Sequence, residues 1–236
     1  MIKELWKSFW VINNKPLIMT LGIYGAGGLG REVFELANVI NSCNNFWKEI
    51  VFIDDAKVTI NPRQAQILKF GEIKNKYDLD NFEVCIAIGE PAVRKILLNK
   101  LISFNIKIKS LIHPEVYIPK STKVGQGTII NKFVSITSDI TIGENVYIHP
   151  MACIGHDSII GKNAIISSFV DVAGNCVVGN EAFLAIGTIL KQGITIGEKS
   201  ILGLGSIVHR NIPSNVIAMG NPARAMKKNI DQRVFK

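Results

Sequence analysis

An aliphatic residue stands at every sixth position for sixteen consecutive steps, from Ile118 through Val124, Ile130 and Ile136 to Ile196, Leu202 and Val208. No step breaks the phase. A second period of eighteen lies on top of it: Gly125, Gly143, Gly161, Gly179 and Gly197 each follow one of these aliphatics. A hexapeptide repeat of this kind is the sequence signature of a parallel β-helix. Six residues make one flat face, and three faces close one triangular coil. The aliphatic points inward and stacks on its equivalent in the next coil. The once-per-coil glycine suits a corner that needs either positive φ or a close backbone approach. Five coils or slightly more fit the count, with no inserted loop.

At 236 residues the chain has room for one large or two modest domains. Residues 1–20 read as an N-terminal extension, 21–114 as an α/β domain, 115–212 as the repeat and 213–236 as a tail. Within 21–114, LGIYG, EIVFIDD, EVCIAIG and IKIKSLI read as strands. Helical spacing runs from Gly30 to Cys43, and Pro91 opens a second helix, as proline does at a first turn. Strands that alternate with helices imply a parallel sheet with right-handed crossovers. Pro213 and Pro222 stop the repeat, and the tail after them allows a helix. The open end of the β-helix calls for a cap.

Net charge is +8, which favours anionic ligands such as phosphates or a nucleotide. The basic residues are scattered, with no stripe interleaved with aromatics, so nucleic acid is not expected. Cys43, Cys85, Cys153 and Cys176 show no zinc-ligand spacing, no metal is expected, and a reduced, cytoplasmic setting fits. No run of eighteen apolar residues is present, so no spanning helix is expected. The first twenty residues lack a continuous apolar core and a cleavage site, which argues against a signal peptide. Ile2, Leu5, Trp6 and Phe9 fit one face of a short helix. Docking on the protein, a membrane-surface contact and an upstream start ahead of Met19 all remain open for that segment.

The run GAGGLG, Gly25 to Gly30, follows a strand and precedes a helix. Its glycines let backbone N–H groups approach a phosphate, and the helix dipole favours the anion. Asp54 or Asp55, ending the second strand, lies where a carboxylate could meet a ribose. The domain is only half of a dinucleotide fold, so a mononucleotide or nucleotide sugar fits better than NAD. A tight turn without ligand is the plain alternative. Of the four histidines, His149 and His156 lie in neighbouring steps of the repeat. Asp157 adjoins His156, and Gly174 lies eighteen residues on, one coil away. A base beside an open, glycine-lined backbone is the geometry an acyl transfer needs. Asp157 can orient the imidazole only if the chain turns there, because adjacent strand residues point to opposite faces.

The motifs IYGAGGLGREV, FIDD, IAIGEPAVRK, LIHP, IGHDSIIG, VAGN and IPSNVIAMGNPAR together resemble the bacterial nucleotide-sugar and sialic-acid acetyltransferases. The resemblance covers roughly residues 20–226. In pattern the chain is similar to N-acetyltransferases of UDP-4-amino sugars. The resemblance implies a half-Rossmann-like α/β domain, a left-handed β-helix, acetyl-CoA as co-substrate and a homotrimer with active sites between subunits. It places the catalytic histidine on His156, with Asp157 as its acidic follower and Gly174 as the glycine facing the thioester carbonyl. It puts acceptor binding on Gly27, Gly28, Asp54 and Gly89, and the coenzyme A arm against Ile186 and Leu204; His149 is expected with the acceptor and Ile165 with the acetyl-CoA. Three positions depart from the pattern. Ile165 stands where many members carry a second histidine near the acetyl group. His149 stands where asparagine is frequent, and Leu29 where some members have histidine.

The expected activity is therefore direct N-acetylation of a nucleotide-linked, UDP-type amino sugar in glycan biosynthesis. An O-acetyltransferase of sialic acid or another free sugar shares the fold. A non-catalytic β-helix scaffold with a nucleotide-sensing domain is the third reading.

Overall fold

A computed structural model describes residues 19–56 and 65–235. The helical reading of Ile2 to Phe9 lies outside the described residues. The N-terminal domain is a parallel sheet of five strands: β1 (Met19–Tyr24), β2 (Trp47–Ile53), β3 (Ile67–Leu68), β4 (Phe82–Ile86) and β5 (Lys107–Ile108), in the order β3-β2-β1-β4-β5. Helix α1 (Gly28–Asn44) crosses from β1 to β2, a single turn α2 (Ile73–Lys76) precedes β4, and α3 (Pro91–Ser103) follows it. α1 buries Val33, Leu36, Ala37 and Ile40, one apolar stripe at helical spacing. Asn45 ends it in the left-handed conformation, φ 52°. Pro91 stands in the first turn of α3 as expected.

The stretch IKIKSLI is not one strand. β5 belongs to the N-terminal sheet, whereas Leu111–Ile112 pairs with Ile129–Ile130 and opens the β-helix. The backbone changes sheet within two residues, which a periodicity of alternating apolar residues does not reveal.

The repeat forms a left-handed parallel β-helix with three sheets. The docking face runs from Leu111–Ile112 through Tyr147–Ile148 and Ile165–Ile166 to Ile201–Leu202. The second face carries Ser135–Ile136, Cys153–Ile154, Asp171–Val172, Ile189–Leu190 and Ile207–Val208. The third carries the five strands from Lys123–Val124 to Thr195–Ile196. Neighbouring coils pair in parallel at a shift of eighteen residues, as in Ile148 with Ile166 and Ile154 with Val172. The phased aliphatics fill the interior, with Ile148, Ile154, Ile166, Val172 and Leu184 fully buried.

The once-per-coil glycines serve close approach, not positive φ. A Cβ at Gly125 would lie 2.5 Å from the Glu144 nitrogen of the next coil, and one at Gly197 would lie 2.3 Å from the Ser214 nitrogen. Left-handed residues occur elsewhere, at every sixth position from Gly127 through Asn145, Asp157 and Asn163 to Gly205. Asn, Asp and Gly tolerate this corner best, and their mixture with Phe133, Met151 and Phe169 hides the pattern in the sequence.

The tail is a β-hairpin and not a helix. Val216–Gly220 continues the docking face beside Ile201–Leu202, and Ala223–Lys228 pairs with it antiparallel. The hairpin closes the open end of that sheet.

α1 lies between the N-terminal sheet and the docking face. Val33, Leu36 and Ile40 share one apolar cluster with Leu111, Ile129, Tyr147, Ile165 and Phe183. The outward residues of this face are therefore buried, with Ile165 at 0 % exposure against 48 % for Ile159 on the third face. α3 adds polar ties. The buried Arg94 donates to the Asn145 carbonyl (3.0 and 2.8 Å) and side-chain oxygen (2.7 Å), and to the Ile86 carbonyl (2.6 Å). Lys95 pairs with Glu181 at 2.8 Å. These contacts fix the two domains around a shared cleft.

Candidate functional site

The strand order reverses at β1, since β2 lies on one side of it and β4 on the other. In open parallel sheets ligands bind at such a switch point, beyond the carboxyl ends of the strands. Here that edge carries GAGGLG after β1 and Ile88–Gly89 after β4. Gly25 has φ 111°, and its N–H donates to the Ile53 carbonyl. A Cβ at Gly30 would stand 2.0 Å from the Gly25 oxygen, so α1 packs directly on the turn. Gly27 and Gly28 are different. A Cβ at Gly27 would meet nothing within 4 Å, and one at Gly28 only the Arg31 Nη2 at 3.9 Å. These two glycines leave room for a ligand at an N-terminus whose first turn has no acidic residue.

Asp54 does not point away from the protein. Its Oδ2 accepts the Ala26 N–H at 2.8 Å and its Oδ1 accepts the Ala56 N–H at 2.9 Å. Asp54 thus braces the glycine turn. Asp55 accepts from the Tyr24 hydroxyl (2.6 Å), the Phe70 N–H (2.8 Å) and Lys100 (3.1 Å). The hydrogen bonds of Asp55 outweigh its partial burial and hold its carboxyl below the usual range.

Gly28, Leu29 and Gly89 from the N-terminal domain and His149, Ile165, Ile186 and Leu204 from the β-helix line one cleft of about 640 Å³. Its remaining walls include Glu32, Ser167, Phe183, Ala185, Val234 and Phe235. Ile165 is fully buried and forms part of the apolar floor. Ile186 and Leu204 are 53 % and 75 % exposed at the cleft rim. His149 stacks on Tyr147, ring centroids 4.4 Å apart, and the Arg94 guanidinium lies 5.7 Å from the Tyr147 ring. Burial, then the Arg94 charge, lowers the His149 pKa to about 4. At neutral pH it enters the cleft uncharged.

His156 and Asp157 stand at another corner. Asp157 takes φ 59°, so the chain does turn between the two, and Asp157 Oδ2 lies 2.8 Å from His156 Nδ1. A carboxylate on Nδ1 keeps the proton there and leaves Nε2 as the acceptor. The ring covers Gly174 of the next coil. A Cβ on Gly174 would lie 2.5 Å from Nε2, so only glycine fits under the imidazole. Among the described residues the Gly174 N–H donates to no protein acceptor. The corner therefore offers an oriented base, an unspent N–H donor and half-exposed access.

Within one chain His156 does not line the cleft. The second face separates them, with the cleft rim at Ile186 on one edge and His156 on the other. The sequence suggests these residues as one site, whereas within one chain they stand at two separate places. Sequence reasoning missed Glu32, Phe183, Val234 and Phe235 as cleft residues. Spacing places Phe183 on the docking face, but nothing in it shows that the tail returns to that face.

No group of three His, Cys, Asp or Glu among the described residues is placed to hold a metal. No helix among them is long and apolar enough to cross a membrane. Burial raises the pKa of the Cys85, Cys153 and Cys176 thiols, which makes them poor nucleophiles.

Residues 20–101 match the PglD N-terminal domain, and residues 121–156 and 139–174 match the bacterial transferase hexapeptide. The acetyltransferase domain of PglB from Neisseria gonorrhoeae is 26 % identical, with TM-score 0.80, and covers 88 % of this chain and 99 % of that one. Both parts of the chain are thus similar to those of nucleotide-sugar acetyltransferases. PerB from Caulobacter crescentus, solved with CoA and GDP-perosamine, is also similar, at 25 % identity and TM-score 0.77, covering 88 % of this chain and 97 % of that one. A GDP-perosamine N-acetyltransferase of Escherichia coli O157:H7 is 27 % identical over 121 residues, which are 50 % of this chain. The chain spans about half the length of that curated relative, 53 %.

Proposed function

We propose that this protein is an acetyl-CoA-dependent N-acetyltransferase acting on a nucleotide-linked amino sugar. The observation that carries the reading is the His156 imidazole, braced by Asp157 and laid over Gly174 with Nε2 free. The CoA and GDP-perosamine complex of PerB and the N-acetyltransferase activity named for the E. coli relative support it.

His156 Nε2 accepts the proton that the acceptor amine loses as its nitrogen bonds to the acetyl carbon. The Gly174 N–H faces the developing oxyanion, and Asp157 stabilises the imidazolium. When the acetyl carbon parts from sulfur, His156 can return the proton to the leaving thiolate. No cysteine is required. Gly27, Gly28 and Gly89 receive the nucleotide and diphosphate, and Ile186 and Leu204 offer an apolar track to the coenzyme A arm. His149 serves the acceptor sugar and Ile165 the acetyl group of the co-substrate. The nucleobase is uridine on sequence pattern, whereas two of the named relatives carry GDP-perosamine in their names or complexes. The two half-sites meet across a homotrimer, with His156 of one subunit facing the cleft of the next.

Acetyl transfer from acetyl-CoA to UDP-, GDP- and dTDP-linked amino sugars, followed by mass spectrometry, tests the reading. Only one nucleotide class should be acetylated well. His156→Ala should lower kcat by about 10²–10⁴-fold with acetyl-CoA binding kept, the usual worth of a general base. Near-wild-type turnover in that variant would remove His156 from the chemistry.

A further inference from the structure

Beyond the hairpin the chain doubles back to the N-terminal domain. Asn229 anchors it: its N–H donates to the Asn215 carbonyl and its Nδ2 to the Lys199 carbonyl, both at 2.8 Å. At the far end the N–H groups of Val234 and Phe235 donate to the two carboxylate oxygens of Glu90, at 2.7 and 3.2 Å. Glu90 is only 9 % exposed and does not cap the helix it precedes. A carboxylate this buried is costly unless it is hydrogen-bonded, so its placement under residues 234 and 235 is specific.

The anchored segment reaches the cleft. The Phe235 ring stands edge-on to Phe183, centroids 5.9 Å apart, and lies 3.4 Å from where a Gly89 Cβ would be. Val234 and Phe235 both line the cleft together with Leu29 and Gly28. Phe235 remains 61 % exposed, an aromatic surface over an apolar opening. The segment lies beyond residues 20–226, the stretch that carries the family resemblance.

We propose that residues 229–235 form a strap that completes the acceptor cleft, and that Phe235 is a specificity-determining wall of it. This rests on the proposed acetyltransferase reading. The ring narrows the opening between Gly89 and Phe183 and packs against the apolar face of the nucleotide-linked sugar. Glu90 is a positioning residue, acting through the backbone of residues 234 and 235.

Steady-state kinetics of the full chain with acetyl-CoA and the same amino-sugar panel tests the wall. Phe235→Ala should raise the acceptor KM about tenfold, and shrink the kcat/KM ratio between the best and second acceptors by a similar factor. The acetyl-CoA KM should stay within about twofold, and Phe235→Leu should recover most of the loss. Equal shifts in both KM values, or no shift in either, would overturn the proposal. A wild-type protein that acetylates no acceptor defeats the functional reading instead. Amide exchange then judges the strap independently. Protection at Val234 and Phe235 that is lost in Glu90→Ala supports it, and free exchange at both in the wild type overturns it.

Discussion

The contact between His156 and Asp157 is decided by one backbone torsion. On an extended strand the two side chains would diverge. At φ 59° Asp157 swings its carboxylate onto Nδ1 of its neighbour. The sequence shows the pair and its eighteen-residue relation to Gly174, but not the left-handed corner that makes the pair useful. His149 is the converse case. Its position beside the cleft is legible, whereas its charge state is not, because it depends on burial beside Tyr147 and on Arg94, which the other domain contributes. Its folded pKa of about 4 lies below the ordinary histidine value of 6.5. Above pH 6.5 both folded and unfolded forms are neutral at this site, and its contribution to stability is complete. As pH falls from 6.5 towards 4 the unfolded chain binds the proton and the folded one does not, so that stability is lost. Thermal melts across this window should therefore fall less steeply for His149→Gln than for the wild type. Parallel pH profiles would show that His149 protonates freely in the folded protein.

The elements differ in how far their sequences specify them. The coils are legible because one inward aliphatic per six residues cannot be placed otherwise without exposing a whole face. The glycine turn is legible as a turn, but the role of Asp54 is not. Its two oxygens brace Ala26 and Ala56 of the surrounding backbone, so its effect on a ligand passes through the turn. Hydrogen bonds from backbone N–H groups to a carboxylate are each worth about 1.5–3 kcal/mol. Asp54→Ala should loosen Gly27 and Gly28 and raise the acceptor KM about tenfold, with the acetyl-CoA KM little changed. Asp54→Asn, whose amide oxygen still reaches Ala26, should be milder. Kinetics in which both substrates suffer alike would dissolve the separation of the two sites. IKIKSLI changes partner sheet midway, and the tail pairs with a strand of the docking face instead of coiling into a helix; in both cases partner choice is a long-range property that local pattern does not encode.

At the scale of the molecule, the His156 corner and the cleft stand on opposite edges of the second face. In the proposed reaction a single chain therefore offers two halves of a site held apart. Along the cleft-side edge Phe133, Met151 and Phe169 recur at eighteen-residue spacing, 60, 49 and 60 % exposed. All three hold left-handed torsions that a glycine or asparagine would adopt at lower cost. An exposed apolar ridge retained against backbone preference marks a surface that is covered in the working protein. In the proposed homotrimer, a second copy related by cyclic symmetry would bring the His156 corner of one subunit to the cleft of its neighbour. Light scattering should therefore give three times the chain mass at micromolar concentration. Complementation tests the sharing of the site directly. Gly28→Phe is chosen to obstruct the cleft, at a position where an added Cβ meets only the Arg31 Nη2 at 3.9 Å. His156→Ala removes the base. Each homogeneous variant should be inactive. Equal co-expression should restore about a quarter of wild-type turnover, the chance that an intact base faces an intact cleft around a closed ring. Mixed trimers that stay inactive would place base and cleft in the same subunit.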